Sequence, residues 1–128
     1  MTDQLERNKE LVRSFIALGM NGGNPAEAAQ RYLTPAYRQH NPRVPDGPEA
    51  YVRLITMLHE QSPAYRTEVK RMVAEGDLVA VHHHVRPAPG DRGRAVVDIF
   101  RLEDGRIVEH WDVVQEVPET AANDNTMF

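Results

Sequence analysis

The sequence contains no cysteine, no surplus of basic residues and no long apolar run. Without cysteine the chain has no disulfide, no thiolate nucleophile and no cysteine-ligated metal. Its 15 lysines and arginines are outnumbered by 19 aspartates and glutamates, which argues against nucleic acid and anionic membranes as partners. The charged N-terminus and the absence of a run of membrane-spanning length predict a cytoplasmic protein with no signal peptide and no membrane anchor.

The 128 residues predict one domain, 1–128, in which residues 118–128 form a C-terminal tail. Apolar residues recur at helical intervals in three segments, which predicts helices at about 4–20, 25–34 and 48–62. Alternating apolar patterns then predict four strands in sequence. Three helices followed by four strands are typical of an α+β domain with helices packed on one face of an antiparallel sheet.

The most informative stretch is 95–117, which predicts a β-hairpin with an aspartate in the middle of each strand. Aspartate is disfavoured in strands, and a buried carboxylate is costly unless it is paired, hydrogen-bonded or protonated. Asp98 lies among four apolar residues, and Asp112 follows His110 in the second strand. This pattern favours a functional site. The alternatives are a structural network in which His110 neutralises the aspartates, and an exposed strand face.

The length of the turn decides which residues share a face, because a one-residue slip reverses every side chain of a strand. A three-residue loop at 103–105 pairs Asp98 with His110 and leaves Asp112 diagonally on the same face. A two-residue Asp-Gly turn instead places Asp98 opposite Trp111 and points Asp112 away. We predict the three-residue loop. One face then carries Val96, Asp98, Phe100, Val108, His110, Asp112 and Val114, and the other carries Val97, Ile99, Ile107, Trp111 and Val113.

The second of these faces carries apolar residues, which bear on the oligomeric state of the protein. Its valines, isoleucines and tryptophan would form a large exposed apolar patch on a monomer. Helices packing over that face are the alternative way to cover it. We therefore predict a homodimer that buries the face between two copies of the chain.

The second predicted strand contains three consecutive histidines, His82, His83 and His84. Because neighbours on a strand alternate between its faces, His82 and His84 lie together and His83 lies opposite; the pattern leaves open which side is inner. Two ligands on one face are too few for a catalytic zinc site, although either aspartate or His40 could supply a third. We predict pocket-lining or pH-sensitive histidines rather than a metal site.

The segment between the second and third helices is too rich in proline for a regular element, so we expect a loop there. It concentrates groups that donate and accept hydrogen bonds, among them Tyr37, His40 and Asn41. Loops held by rigid scaffolds often carry function. Turn formation is the alternative role, since asparagine before proline is common in turns.

Several motifs resemble those of one known family. They are Gln-His-Asn-Pro at 39–42, Asp-Gly-Pro-Glu-Ala at 46–50, Asp-Ile-Phe-Arg at 98–101, Glu-Asp-Gly-Arg-Ile-Val-Glu-His-Trp-Asp at 103–112 and Asn-x-Met-Phe at 125–128. Over almost the whole chain they resemble the SnoaL-like polyketide cyclases of the nuclear transport factor 2-like superfamily, and within it small bacterial members predicted to catalyse aldol condensation. The resemblance implies a cone-shaped α+β barrel, with three N-terminal helices packed on a strongly bent antiparallel four-stranded sheet.

The resemblance places the cyclases' catalytic aspartate on Asp112 and their pocket histidine on Asp98, where this chain departs from the family. His110 or His40 would then have to supply the missing imidazole function. The implied chemistry is proton abstraction next to a carbonyl, of the aldol condensation, cyclisation or isomerisation type, on a partly apolar small molecule and without a cofactor. An apolar wall suits a carboxylate to this task because it raises the carboxylate's pKa toward working pH.

These inferences assign Asp112 as the general base, Asp98 as its acidic or orienting partner and His40 as the group that polarises the carbonyl. The predicted substrate-binding residues are Tyr37, Asn41, His82, His84 and His110. We predict no metal ligands and no cofactor. The alternatives are a non-catalytic small-molecule-binding protein of the same fold, and a hydrolase or dehydratase that uses the same carboxylates.

Overall fold

The computed structural model describes residues 3–128, in which three helices cover one face of a five-stranded sheet. The helices are α1 (Gln4–Ile16), α2 (Pro25–Tyr32) and α3 (Pro48–Gln61), and a π-helical turn, Ala17–Asn21, continues α1. The strands are β1 (Leu33–Gln39), β2 (Arg66–Glu75), β3 (Leu78–Arg86), β4 (Arg94–Glu103) and β5 (Arg106–Glu116). Between residues 3 and 128, no helix combines the length and the apolar character that crossing a membrane requires.

The helices begin where the sequence predicts. Asp3 caps α1 by accepting a hydrogen bond from the Glu6 backbone N–H at 2.9 Å. Proline stands in the first turn of α2 and of α3, where its missing N–H costs no intrahelical bond. The buried stripes of the three helices meet the inner face of the sheet in one apolar core. Its members include Val12, Phe15, Ile16, Ala28, Tyr51, Ile55, Val79, Val81, Phe100 and Leu102.

The α+β class is confirmed, but the prediction of four antiparallel strands was wrong. The strand order is β1-β5-β4-β3-β2, and β1 pairs with β5 in parallel while the other pairs are antiparallel. The sequence pattern assigned the residues of β1 to the end of a helix and to a loop, mainly because of Pro35. Proline is tolerated here because β1 is an edge strand, where a missing N–H need not break the ladder.

The turn between β4 and β5 differs from the predicted three-residue loop. Asp104 and Gly105 form a two-residue turn with φ of 49° and 75°, and their neighbours Glu103 and Arg106 pair directly. A β-bulge then adds Val108 to β5, because Arg101 pairs with Glu109 although Leu102 pairs with Ile107. The extra residue restores the face alternation that the short turn alone would have reversed.

The bulge brings the two aspartates directly opposite each other. Asp98 pairs with Asp112, and His110 faces Phe100 rather than the predicted Asp98. The predicted inner face is therefore correct at its aspartates and at His110. It is wrong at the turn end, where Ile107 lies fully buried in the core and the bulged Val108 is only half-buried.

The π-helical turn packs unusually close to α3. A Cβ atom added at Gly19 would lie 2.0 Å from the Tyr51 hydroxyl oxygen, so only glycine allows this approach. The turn ends at Asn21, whose side chain forms two hydrogen bonds with the backbone of Thr67 at the start of β2. These contacts tie the end of the first helical segment to the rim of the sheet.

Candidate functional site

A cavity of about 410 Å³ lies between the helices and the inner face of the sheet. Pockets for small organic ligands typically measure about 300–1,000 Å³, so the space suits such a molecule. Most of its walls are apolar, and polar groups converge on it from β1, β3, β4 and β5. The apolar wall includes Phe15, Ile16, Leu54, Ile55, Leu58, Val85, Val96, Phe100 and Val114.

Asp98 lies at the centre of the polar groups and is 9% exposed. Its Oδ2 is 2.5 Å from His83 Nε2, and its Oδ1 is 2.7 Å from His110 Nε2. Burial alone would raise the pKa of Asp98, but the hydrogen bonds and positive charge of His110 and His83 lower it to about 2. Asp98 is therefore a carboxylate at neutral pH, with both oxygens engaged.

Hydrogen bonds engage both ring nitrogens of His110. The Gln39 Oε1 atom accepts the Asn41 backbone N–H at 3.1 Å, which identifies it as the carbonyl oxygen of the amide. It lies 2.6 Å from His110 Nδ1, so that nitrogen donates to Gln39. His110 Nε2 lies 2.7 Å from Asp98 Oδ1, so both ring nitrogens of His110 take part in hydrogen bonds that fix the orientation of the ring.

His83 completes the cluster from β3 and is 1% exposed. Its Nδ1 lies 2.5 Å from the Thr67 hydroxyl oxygen. A chain of contacts therefore runs from Thr67 through His83 and Asp98 to His110. Sequence analysis did not select His83, although Val79, Val81 and Val85 occupy the same alternate positions of the strand and are all buried. That apolar alternation is the signal that would have placed His83 inside.

Asp112 is the second carboxylate of the cavity and has a different environment. The Asn41 Nδ2 atom lies 3.0 Å from each of its two oxygens, and among residues 3–128 no histidine forms a hydrogen bond with it. It is half-buried, whereas Asp98 is buried. The structure thus brings the predicted residues Asp112, Asn41 and His110 together around Asp98.

His40 does not lie in the cavity, in contrast to its predicted role at the substrate carbonyl. Its Nε2 is 2.6 Å from Glu109 Oε2, and its ring stacks on Trp111 with 4.8 Å between ring centroids. Hydrogen bonds from His40 and from Arg101 lower the pKa of Glu109. The physical reason is alternation in extended backbone, which points Gln39 and Asn41 inward and His40 outward.

The prediction that His82 and His84 line the pocket is also contradicted, because the inner position of β3 belongs to His83. His82 contacts Arg71 on the outer face, and His84 Nε2 donates to the Arg92 carbonyl at 2.7 Å. The ring of Phe128 stacks on His84 with 4.0 Å between centroids. The two histidines therefore hold the C-terminal tail against the outer face of the sheet.

Three tyrosines, Tyr37, Tyr51 and Tyr65, line the cavity. Burial raises the pKa of each one, so all three are neutral at physiological pH. The negative charge of Asp98 raises the pKa of Tyr37 further. The Tyr37 oxygen accepts a long hydrogen bond of 3.4 Å from Gln39 Nε2, which leaves its own proton available to an acceptor in the cavity.

One group of side chains has donor atoms that could hold a metal ion. Ligand atoms of Asp98, His110 and Asp112 lie within 4.8 Å of one another. Carboxylate and imidazole ligands suit several divalent ions. Two of the three donors, Asp98 Oδ1 and His110 Nε2, already share a proton in their hydrogen bond, so a metal would have to displace that proton. That no metal binds here stays a prediction.

Comparison with known proteins identifies relatives of this site and fold. The sequence model of the SnoaL-like domain matches residues 12–110, whereas a sequence comparison with curated proteins gives no match. The structure is similar to TsrD from Streptomyces laurentii, with 27% identity over 89% of this chain and 91% of TsrD and a TM-score of 0.72.

Two further solved structures share the fold at lower identity. A candidate polyketide cyclase from Bacillus cereus is 19% identical over 85% of this chain and 74% of its own, with a TM-score of 0.73. A nuclear transport factor 2-like protein from Cytophaga hutchinsonii is 22% identical over 90% of this chain and 95% of its own, with a TM-score of 0.69. Because the family model covers most of the chain, this protein belongs to the SnoaL-like domain family and has the nuclear transport factor 2-like fold.

Proposed function

We propose that the protein is a cofactor-independent enzyme that abstracts a proton from carbon next to a carbonyl, in a reaction of the aldol condensation, cyclisation or isomerisation type. One observation carries this proposal. Two carboxylates face each other in a largely apolar cavity, one bound by two imidazoles and the other held only by an amide. The relatives named as candidate polyketide cyclases support the same class of small-molecule chemistry.

Asp112 is the proposed general base. Asn41 orients its carboxylate and leaves lone pairs free toward the cavity. Asp98 is a poor base because its pKa of about 2 gives it little affinity for a proton and because both its oxygens accept hydrogen bonds. Its role is to hold His110 beside the site. This arrangement leaves Asp98 no role as the acidic partner that the sequence analysis allowed.

Tyr37 is the proposed neutral acid that stabilises the enolate oxygen. Both ring nitrogens of His110 and of His83 are engaged in hydrogen bonds, so neither imidazole has a free N–H for the substrate. Tyr37 has an available proton, and its raised pKa keeps that proton on the hydroxyl until an acceptor with developing negative charge is in place. Sequence analysis assigned this role to His40, which the fold places outside the cavity.

His40 is proposed as a positioning residue instead. Residues 39–41 contact both faces of β5. On the inner face, Gln39 forms a hydrogen bond with His110, and Asn41 forms one with Asp112. On the outer face, His40 binds Glu109 and stacks on Trp111. Loss of the outer contact would loosen the inner pair. Small misplacements of catalytic groups can lower rates substantially.

Two substitutions at His40 separate positioning from direct catalysis. We expect His40→Ala to lower the rate at which the protein exchanges a proton next to a ketone's carbonyl with solvent by roughly 10-fold or more. His40→Phe should recover part of the loss, because its ring can still stack on Trp111. The pH profile should keep its shape in both variants. Equal losses in the two variants, together with a missing limb of the pH profile, would instead show that His40 exchanges a proton with the substrate.

The reaction class can be tested without knowing the natural substrate. A panel of cyclic and aromatic ketones that bind the cavity is incubated with the protein in D2O, and deuterium incorporation next to the carbonyl is followed by NMR. Catalysed incorporation supports the proposal. Saturable binding without exchange favours a non-catalytic binding protein, and loss of water or cleavage of an ester favours a dehydratase or hydrolase that uses the same carboxylates.

We also propose that a second copy of the chain covers the outer face of β4 and β5. The helices pack on the inner face, so they leave Val97 38% exposed and Val113 71% exposed. Apolar surface of this kind is typical of an interface when its members adjoin on one sheet face. Analytical ultracentrifugation at micromolar concentration should give the sedimentation of a dimer, and Val113→Lys should shift it to a monomer. A wild-type protein that sediments as a monomer contradicts the proposal.

A further inference from the structure

Two arginines lie at the wall of the cavity that also holds the carboxylates. Arg43 and Arg94 both line it, and both are exposed to solvent. Among residues 3–128, neither side chain has a hydrogen-bond or ion-pair partner. Arg101 shows the contrast, since Glu103 and Glu109 bind it on the outer face. The two guanidinium groups of the cavity are therefore free to bind a ligand.

The backbone holds both arginines at defined places. Asn41 Oδ1 accepts the Arg43 backbone N–H at 2.9 Å, so the residue that orients Asp112 also forms the turn that carries Arg43. Arg94 is the first residue of β4 and shares the inward face with Val96 and Asp98. Its four-residue separation from Asp98 corresponds to roughly 13 Å along the strand at about 3.3 Å per residue.

Charge in the cavity is thus divided between two regions. Carboxylates lie at mid-strand and guanidinium groups lie toward the start of β4 and the loop after β1. Glu116 is paired with Arg94 in the sheet register and is exposed, yet the two side chains form no ion pair. In the sheet register, Val96 and Val114 lie between Arg94 and the two aspartates.

We propose that Arg43 and Arg94 bind an acidic group of the substrate, a carboxylate or a phosphate, while its carbonyl lies beside Asp112. This inference rests on the proposed function for the position of the carbonyl. Guanidinium groups bind both kinds of acid through paired hydrogen bonds. Asp98 and Asp112 repel the same acidic group, so the substrate enters in one orientation. The distance between Arg94 and Asp98 along β4 fits molecules in which a ring system or a chain lies between the acid and the carbonyl.

Binding of matched probes tests the proposal independently of turnover. The probes are 2-naphthoate, 2-naphthyl phosphate and the neutral methyl 2-naphthoate, with affinities measured by calorimetry at low ionic strength. We expect at least one anion to bind the wild-type protein about 10-fold more tightly than the ester. The anion that shows the preference identifies the acidic group as carboxylate or phosphate.

Substitution of the arginines gives the second arm. The double variant Arg43→Gln/Arg94→Gln should bind the anion no better than the ester, with the affinity for the ester unchanged. Arg53→Gln is the matched control, because Arg53 is exposed on α3 and does not line the cavity. Equal affinity of the wild-type protein for anion and ester overturns the proposal, as does absence of anion binding or an equal loss in Arg53→Gln.

The proposed function and this inference fail in different experiments. A folded Asp112→Asn protein should retain the preference for the anion, since its arginines are intact. If Asp112→Asn kept full turnover, the assignment of the base would fall while the anion preference stood. If the preference were missing, the acidic-substrate class would fall while the exchange assay still decided the reaction type.

Discussion

Replacing Asp112 with Asn should lower the rate of α-proton exchange by at least about 100-fold while leaving the fold intact, since general acid–base groups contribute about 10²–10⁴ in rate. The amide has no basic lone pair comparable to that of a carboxylate, so it removes proton abstraction without removing volume. Its carbonyl oxygen can still accept the hydrogen bond from Asn41. Asp112 is half-buried and lies outside the apolar core, which is why we expect little change in stability.

The exchange assay in D2O measures this loss, and circular dichroism with thermal unfolding measures the fold. Asp124→Asn is the matched control, because it makes the same chemical change at an exposed position in the tail. A folded Asp112→Asn protein with the wild-type exchange rate would remove Asp112 as the base. A parallel loss of rate and of folded structure would assign it a structural role instead.

The two aspartates could be located from the sequence because they contradict the character of their strands. Aspartate amid valine, isoleucine and phenylalanine signals a site whatever the register. The register itself could not be predicted correctly. The Asp104-Gly105 pair favours a two-residue turn, and this turn is present, but the bulge at Val108 reverses its effect on the face. A bulge depends on tertiary packing, here on burying Ile107, and its residues carry no clear local pattern.

Alternation along each strand was the better guide to which side chains face the cavity. In β3, His83 occupies the same set of alternate positions as the valines at 79, 81 and 85, so the pattern indicates one inward histidine. The assignment of His82 and His84 to the pocket was inconsistent with this alternation, because both lie at the positions between the buried ones. In β1, Pro35 argued against a strand in the sequence analysis. Without a strand, the opposite directions of His40 and Asn41 could not be deduced.

The family resemblance predicted the fold, whereas the hydrogen-bond partners of Asp98 were found only in the structure. Where the resemblance implies an imidazole, this chain has a carboxylate that two imidazoles bind, His83 from β3 and His110 from β5. The sequence alone could not show these contacts, because His83 and His110 reach Asp98 from two different strands.

Replacing Asp98 with Asn should lower the free energy of unfolding at neutral pH by about 2 kcal/mol, because the fold lowers the pKa of Asp98 from 3.8 to about 2 and each pKa unit corresponds to about 1.4 kcal/mol. The lowered pKa means that the unfolded chain binds the proton more tightly than the folded one does. The stabilisation is therefore complete above about pH 4 and is lost as the pH falls toward 2.

Urea denaturation of the wild-type protein and of Asp98→Asn across this pH range tests the linkage. The gap between the two proteins should be widest at neutral pH and should close as the pH falls through the wild-type pKa, whereas a gap independent of pH would show that packing, not charge, accounts for the loss. The variant should still fold, because its new amide can donate to His110 Nε2 once that ring is neutral and Gln39 keeps its proton on Nδ1. Its exchange activity then reports what the charge of Asp98 contributes, separately from the geometry of the His110 ring.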